Sequence, residues 1–201
     1  MGCLKNIIKF IILVFAIIGF ISVGGTKIFQ GKFDFNIFEK PSQEKLKEQA
    51  SAIANLSDIS DEYKIDNVTK VLGFKSVIAS HQGTKQKMLI IDTGKKELLS
   101  PDDFKNKEID KKIENLAEKI QYQFIRVENV KIVQNGTIQT MNSSAPYVKF
   151  KADTVNLPIP EIQGIVGLST DKNGQNKLIL SINDSNKYSQ IITQEFFRHV
   201  Q

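Results

Sequence analysis

The residues best suited to acid–base chemistry are two histidines and a pair of adjacent aspartates. His81 lies in a predicted hairpin loop, and His199 lies near the end of the sequence. Either imidazole could act as a general base, but histidines are common in exposed loops, and we interpret both as surface residues. Asp102 and Asp103 could act as paired carboxylates or bind a hard cation. Because they follow Ser100-Pro101, a typical helix start, acids in the first helical turn explain them without catalysis.

Two further features could form binding sites. The run Asp171-Lys172-Asn173-Gly174 is similar to the start of a calcium-binding loop. The distal glutamate that such a loop needs is absent, so we predict a hairpin turn. Arg126 could bind an anion or a carboxylate of a partner, but an ion pair within the fold is the simpler interpretation.

The motifs of common enzyme classes are absent from the sequence. It contains no GxSxG, HExxH, Walker loop or GxGxxG pattern. One Cys and two His are too few ligands for a cysteine-based zinc site or an all-histidine metal centre. We therefore predict no catalytic, cofactor-binding or metal-binding residue and no cofactor, and the binding residues stay unassigned.

Five sequons of the form Asn-x-Ser/Thr are possible modification sites. They begin at Asn55, Asn67, Asn135, Asn142 and Asn183. They matter only where exported proteins are glycosylated. A composition rich in Lys, Asn and Ile produces such triplets readily by chance, which is the interpretation we prefer.

The charge of the chain does not indicate a nucleic-acid partner. The formal net charge is +5, from 27 basic and 22 acidic residues, and of the basic residues only Arg126 and Arg198 are arginine. Nucleic-acid binders favour clustered basic faces with arginine forks. Here lysines alternate with acids, as in KNKEIDKKIENLAEK, which is typical of a solvated surface. We predict no nucleic-acid partner.

An uncharged run at residues 10–25 determines the predicted compartment. Its sixteen residues follow Lys5 and Lys9 and, as a helix, would span about 24 Å of a hydrocarbon core of about 30 Å. Extension back to Ile7 reaches about 28 Å if the Lys9 amine snorkels to the headgroups. We predict that residues 1–25 are a transmembrane signal-anchor that contacts the lipid bilayer through residues 10–25.

A cleaved signal peptide is the alternative interpretation of the same segment. Ser22, Gly24 and Gly25 supply the small residues that precede a cleavage site. With either interpretation the rest of the chain lies outside the cytoplasm, as a single-pass membrane protein or as a secreted one. No Cys follows the segment, so that part must fold without a disulfide.

The remainder divides into a juxtamembrane linker, residues 26–41, and a domain, residues 42–201. Ser42 is the predicted N-cap of a helix that extends to about Leu56. A main helix is predicted from about Glu108 to Tyr122 and a closing helix over Ser185–Val200. The main helix carries an apolar stripe at spacings of four, three and four residues. The stripe consists of Ile109, Ile113, Leu116 and Ile120.

Seven segments have the composition of β-strands. They are Val68–Ser80, Met88–Ile91, Val127–Val133, Thr137–Met141, Tyr147–Ala152, Ile162–Leu168 and Lys177–Ile182. The polar residues 81–85 predict one hairpin loop, and Asn135-Gly136 predicts another, because both of its residues tolerate positive φ. The predicted fold class is α+β: an N-terminal transmembrane helix followed by an α-β-α sandwich with a mainly antiparallel sheet.

The segment from about residue 74 to 201 resembles the PsbP-like family. The resemblance rests on the strand SAPYVKFKA, the pair IQGIVGLST and QNKLILSIND, and the ending YSQIITQEFFRHV. It implies a small α–β–α sandwich with a non-enzymatic accessory or assembly role on a membrane face. The family's aromatic-rich opening, which ends in a Gly-Trp turn, has no counterpart because the chain has no Trp. The resemblance therefore assigns no functional residue.

Three functions are compatible with these features. The one we favour is a non-enzymatic, membrane-anchored extracytoplasmic accessory or interaction domain, whose tether raises its local concentration near an envelope protein. A binding module for a small or lipid-like ligand in the cell envelope is the alternative. An envelope hydrolase would need His81 beside a carboxylate or a serine in one cleft.

The predicted apolar stripe can be tested by a charge substitution. We expect Leu116→Asp to unfold the domain, because it would bury an unpaired carboxylate. Circular dichroism and thermal melting measure the effect, and unchanged curves would show that the stripe is not part of a core.

Overall fold

A single antiparallel sheet dominates the described part of the chain. The computed structural model describes residues 41–71, 74–94, 99–105, 111, 121–122, 125–155 and 159–201. Three helices and eight strands are described there. The helices are α1 (Gln43–Ser51), α2 (Pro101–Lys105) and α3 (Gln190–Arg198). The strands are β1 (Tyr63–Val71), β2 (Phe74–His81), β3 (Lys87–Asp92), β4 (Gln121–Tyr122), β5 (Ile125–Thr140), β6 (Ser143–Val155), β7 (Glu161–Thr170) and β8 (Asn176–Asp184). Their order in the sheet is β1-β2-β3-β8-β7-β6-β5-β4.

The predicted α-β-α sandwich is wrong, because strands account for most of the described structure. The strands β5 and β6 extend over 16 and 13 residues and form one long hairpin, whereas the described helices have nine, five and nine residues. The predicted main helix cannot extend to Tyr122, since Gln121–Tyr122 is strand β4. Within that helix Lys111 is helical, and the stripe that includes Leu116 lies outside the described residues.

The predicted transmembrane helix falls outside the described residues, because they begin at residue 41. Among the residues that are described, no helix is both long and apolar enough to cross a membrane.

The hairpin predicted at Asn135-Gly136 is also wrong, because both residues lie inside β5. The turn instead occupies Met141 and Asn142, at φ values of 49° and 58°, between the paired residues Thr140 and Ser143. A two-residue turn with two positive φ angles fits the twist of a hairpin. Met141 is a poor residue for this conformation, but burial of its side chain and donation of its N–H to the Val200 carbonyl at 2.7 Å stabilise it.

A cross-strand aromatic ring explains why Gly136 is not a turn residue. Gly136 pairs with Tyr147 on β6, and a Cβ at Gly136 would lie 2.8 Å from the Tyr147 hydroxyl oxygen. The tyrosine ring therefore covers the glycine and occupies the space that a side chain would need. The close approach of the Tyr147 ring, and not a reversal of the chain, therefore favours glycine at this position.

The first predicted strand, Val68–Ser80, is in fact parts of two strands. Val71 pairs with Phe74, so the chain reverses between them and β2 runs antiparallel to β1. The predicted loop at residues 81–85 is confirmed as the β2–β3 connection, with Ser80 paired to Lys87. Ser42 is confirmed as a helix N-cap, since its hydroxyl accepts a hydrogen bond from the amide of Lys45.

The sheet carries an apolar core on each face. One face packs α1, α3 and the segment between α1 and β1 against the strands; its largest side chains are Phe196, Phe197, Tyr63, Met88 and Tyr147. The other face includes Phe74, Phe150, Leu89, Leu178 and Leu180, with Leu99 and Phe104 packed against it. A sheet buried on both faces explains why β3 and β8 are nearly continuous apolar runs, although their neighbours are antiparallel.

The close packing of β7 against β8 gives a test of the sheet. A Cβ on Gly164 would lie 2.3 Å from the backbone oxygen of Ser181 and 3.2 Å from the ring of Phe150. We expect Gly164→Ala to lower the free energy of unfolding by about 3 kcal/mol, since the backbone must shift.

Urea denaturation measures this change, and Gly174→Ala is the control. A Cβ on Gly174 meets no atom within 4 Å, and its φ is +74°, so that substitution is expected to lower the free energy of unfolding by only about 1 kcal/mol. Equal losses for the two variants would contradict the packing of β7 on β8.

Candidate functional site

His81 stabilises the β2–β3 turn. Its Nδ1 accepts a hydrogen bond from the Thr84 amide at 3.1 Å and lies 3.2 Å from the Thr84 hydroxyl oxygen. Its Nε2 lies 3.9 Å from a carboxylate oxygen of Glu62, whose side chain is 70% exposed. The ring also packs edge-on against Tyr63, with centroids 5.3 Å apart.

This arrangement brings a hydroxyl, an imidazole and a carboxylate together without the geometry of a nucleophilic triad. The Nδ1 lone pair that faces the Thr84 hydroxyl already accepts the Thr84 backbone amide, so it is not placed to remove the hydroxyl proton. The carboxylate of Glu62 is beyond hydrogen-bond distance and solvated. The contacts of His81 are those of a turn-stabilising residue. The other histidine, His199, is the exposed C-cap of α3.

The adjacent aspartates are helix-start acids, as predicted. Asp102 and Asp103 lie in the first turn of α2. A carboxylate oxygen of Asp103 accepts the Ser100 amide at 2.9 Å, and the Ser100 hydroxyl accepts the Asp103 amide at 3.3 Å. This reciprocal pair is a capping box with an aspartate at its third position. Asp102 is exposed to solvent on the same turn.

The run that begins at Asp171 is a hairpin turn between β7 and β8, as predicted. One oxygen of the Asp171 carboxylate accepts the amides of Asn173 and Gln175, each at 2.9 Å. Burial opposes ionisation of this carboxyl, but those two amides and the nearby ammonium of Lys177 outweigh it and lower the pKa of Asp171. The Asp171 carboxylate therefore stabilises the turn through hydrogen bonds to amides of the turn itself.

A buried ion pair joins this turn to the end of β3. The Lys177 side chain is 3% exposed, and its ammonium lies 3.0 Å from an Asp92 carboxylate oxygen and 3.5 Å from an Asp171 carboxylate oxygen. Two carboxylates around one buried lysine compensate the loss of its hydration. No group of three or more metal-ligating side chains occurs among the residues that the structure describes.

Arg126 lies at the start of β5, where its backbone pairs with Gln121 on one side and Val155 on the other. Its side chain is outside the described part of the structure, so the predicted ion pair stays a prediction. Of the five sequon asparagines, Asn183 is partly buried and donates its amide to the carbonyls of Thr84 and Lys187. The exposed ones are Asn55, Asn67, Asn135 and Asn142.

The principal polar site of the fold was not predicted from the sequence. Gln86, which is fully buried, lies between the sheet and the start of α3. Its Oε1 accepts the Ser189 amide at 2.8 Å, and its Nε2 donates to the Ser189 carbonyl at 3.0 Å. The same Nε2 lies 2.9 Å from the Ser181 hydroxyl and 2.8 Å from the Thr193 hydroxyl.

Two tyrosines extend this polar layer along α3. Burial raises the pKa of Tyr188 to about 12, and the Lys149 ammonium lies 5.3 Å from the centre of its ring. The Tyr63 hydroxyl donates to the Glu195 carboxylate, and its oxygen lies 3.0 Å from the Ile192 carbonyl oxygen. Burial, followed by the contacts with Glu195, raises the pKa of Tyr63. Both phenols therefore stay protonated at neutral pH and act as hydrogen-bond partners.

The chemistry available to this layer is hydrogen bonding. Ser181 and Thr193 bond to each other at 2.9 Å. In the described part of the chain, their hydrogen-bond partners are an amide, a phenol, a backbone carbonyl and each other, none of which is a general base. A sequence signal existed, since Ser181 interrupts the apolar strand LILSIND and Thr193 interrupts the apolar helix IITQEFF. Polar residues at core positions usually pair with each other.

A comparison of the chain with protein-family models and with curated proteins finds no match. The resemblance to the PsbP-like family therefore stays a prediction.

Two glutamines allow the buried amide contact to be tested against a solvated equivalent. Gln43 binds both backbone groups of Ile65, at 2.9 and 3.0 Å, as Gln86 binds those of Ser189, but Gln43 is only partly buried. We expect Gln86→Leu to lower the free energy of unfolding by about 3 kcal/mol, because buried backbone and hydroxyl groups lose their partner. Gln43→Leu should lower it by about 1 kcal/mol, since water replaces the amide.

Chemical denaturation of both variants measures the difference. Similar losses of unfolding free energy for the two substitutions would show that burial of Gln86 adds nothing to the stability of the fold.

Proposed function

We propose that the protein is a membrane-tethered, non-enzymatic interaction domain that acts outside the cytoplasm. The observation that carries the proposal is the uncharged run at residues 10–25, which follows two lysines and precedes a folded domain. A domain attached in this way meets its partners in a thin layer next to the bilayer, so a modest surface is sufficient for binding.

The length of the linker sets how far the domain reaches. Residues 26–41 separate the apolar run from the N-cap of α1 at Ser42. Sixteen residues span at most about 55 Å when fully extended. The start of the domain therefore stays within about 55 Å of the bilayer surface, which favours a partner that is itself attached to the membrane.

The contacts of the candidate catalytic groups support a non-enzymatic role. Asp103 caps α2, Asp171 shapes a turn, and His81 accepts a turn amide. Each of these groups has a local structural partner. This is the pattern expected of a scaffold that presents its surface.

The packing under α3 supports an interaction surface in preference to an internal ligand site. Phe196, Phe197 and Val200 are at most 1% exposed between α3 and the sheet. In the described part of the chain, these three side chains lie where a lipid-like ligand between helix and sheet would have to bind. Binding by this domain is therefore proposed to use exposed groups.

Membrane fractionation of the full chain tests the tether. We expect the intact protein to stay in the membrane fraction through a high-salt wash and to be released by detergent, because residues 10–25 insert into hydrocarbon. Ile17→Arg places a charge near the middle of the run, at a cost of about 3 kcal/mol, and should increase the released fraction. Thr26→Arg, just outside the run, is the matched control.

Two other outcomes would revise the proposal. Release of a species that begins near Thr26 would establish a cleaved signal peptide. Activity of a reporter enzyme that works only in the reducing cytoplasm, fused after Gln201, would contradict the placement outside.

A further inference from the structure

The two edges of the sheet differ in how their backbone groups are satisfied. On the β1 edge, a register shift lies between Ile65 and Asn67, and the Gln43 side chain binds both backbone groups of Ile65. A bulge and an occupied backbone both prevent another strand from adding to an edge. The β1 edge is therefore protected.

The opposite edge is formed by β5 beyond its first two residues. Strand β4 pairs with β5 only at Ile125 and Arg126, and no other described strand lies on that side. The early part of β5 contains two register shifts, between Glu128 and Lys131 and between Ile132 and Gln134. These shifts protect that part in the same way as the bulge in β1.

The later part of β5, residues 134–140, has no such protection. It pairs with β6 without a register shift, and its sequence, QNGTIQT, contains neither a charged residue nor a proline. Charged side chains, prolines and bulges are the usual devices that block strand addition. We name residues 134–140 the open edge.

The turn geometry identifies which backbone groups of the open edge point away from the sheet. Thr140 and Ser143 close a two-residue turn, and the closing pair of such a turn is hydrogen-bonded. Alternate residues back from Thr140 therefore bond to β6, and the residues between them direct N–H and C=O outward. These outward residues are Asn135, Thr137 and Gln139, and all three are exposed.

We propose that the open edge binds the same edge of a second copy of this chain, as an antiparallel pair centred on Thr137. This centre is the midpoint of residues 134–140, and it places Asn135 opposite Gln139 of the second copy. Each of these pairs can exchange two backbone hydrogen bonds. An isologous pair opposes identical sequences, so the absence of charge from the open edge removes the like-charge repulsion that would otherwise act against self-pairing.

The contact is small, so the dimer is expected to be weak and the fraction of dimer to depend on the protein concentration. One short strand pair buries less area than the roughly 1,200–2,000 Å² of an ordinary stable interface. In dilute solution the pair should dissociate, whereas confinement to a membrane raises the effective concentration. The inference rests on the proposed tether for this concentration, but not for the geometry of the pair.

Cysteine crosslinking of the full chain in its membrane tests the pairing. In a Cys3→Ser background the introduced cysteine is the only thiol, since Cys3 is the only Cys of the chain. Directly opposed residues of a hydrogen-bonded antiparallel pair have Cα atoms about 5.5 Å apart, within the range of a disulfide. We expect Thr137→Cys to give disulfide-linked dimers on mild oxidation, several-fold more than Asn173→Cys, an exposed control on the β7–β8 turn.

Backbone and charge variants then test the mechanism, with a bifunctional amine crosslinker as the measure of dimer. Thr137→Pro removes only an outward N–H, which an edge strand tolerates, and should abolish the dimer. Thr137→Val keeps the N–H and should retain it. Thr137→Glu opposes two like charges without adding an amine that the crosslinker could react with, and it should also abolish the dimer.

Equal disulfide yields for Thr137→Cys and Asn173→Cys would overturn the proposal, and so would an undiminished dimer in Thr137→Glu. Melting curves confirm that each variant is folded. Failure of the tether is a separate result, because it is measured as release from the membrane, and dimers that appear only at high concentration after release would leave the pairing correct.

Discussion

The fold depends on one buried amide. Gln86 holds the N–H and C=O of Ser189 immediately before α3, and its Nε2 also reaches the hydroxyls of Ser181 and Thr193. An amide side chain presents a donor and an acceptor side by side, as a backbone peptide does. Because the residue is fully buried, water cannot replace these bonds, and the position of α3 is fixed to the residue that precedes β3.

The position of α3 then fixes the chain end and the turn next to the open edge. From α3 the chain leads to Val200, whose carbonyl accepts the amide of Met141, and Gln201 exchanges two backbone hydrogen bonds with Asn55. The strained conformation of Met141 is thereby held by a residue almost sixty positions away in the sequence. These hydrogen bonds link the β5–β6 turn, α3 and the loop after α1. A substitution of Gln86 is therefore expected to destabilise all three.

Local signals in the sequence predicted what local interactions determine. The caps at Ser42 and Ser100 and the turn at Asp171 depend on atoms within four residues, and all three were correctly predicted. The hairpin at Asn135-Gly136 was wrong because a residue eleven positions away, Tyr147, covers the glycine. The sandwich was wrong because the lengths of β5 and β6 follow from their pairing, which no local pattern encodes. The role of Gln86 could not be predicted from local sequence either, since its partners are about a hundred residues away.

Polar groups in the interior of this domain differ from those at the open edge in whether they have hydrogen-bond partners. Inside, the buried Gln86, Ser181, Thr193 and Lys177 are bound to other protein groups, so their polarity serves the fold. At the open edge, the outward groups of Asn135, Thr137 and Gln139 have no backbone partner among the described residues. The Gln43 side chain covers backbone groups on the β1 edge, whereas the regular, uncharged open edge leaves its outward backbone groups available to another strand. Under the two proposals made above, a membrane tether and pairing between copies, a second copy that supplied the same seven residues in the opposite direction would give these groups partners without any additional recognition element.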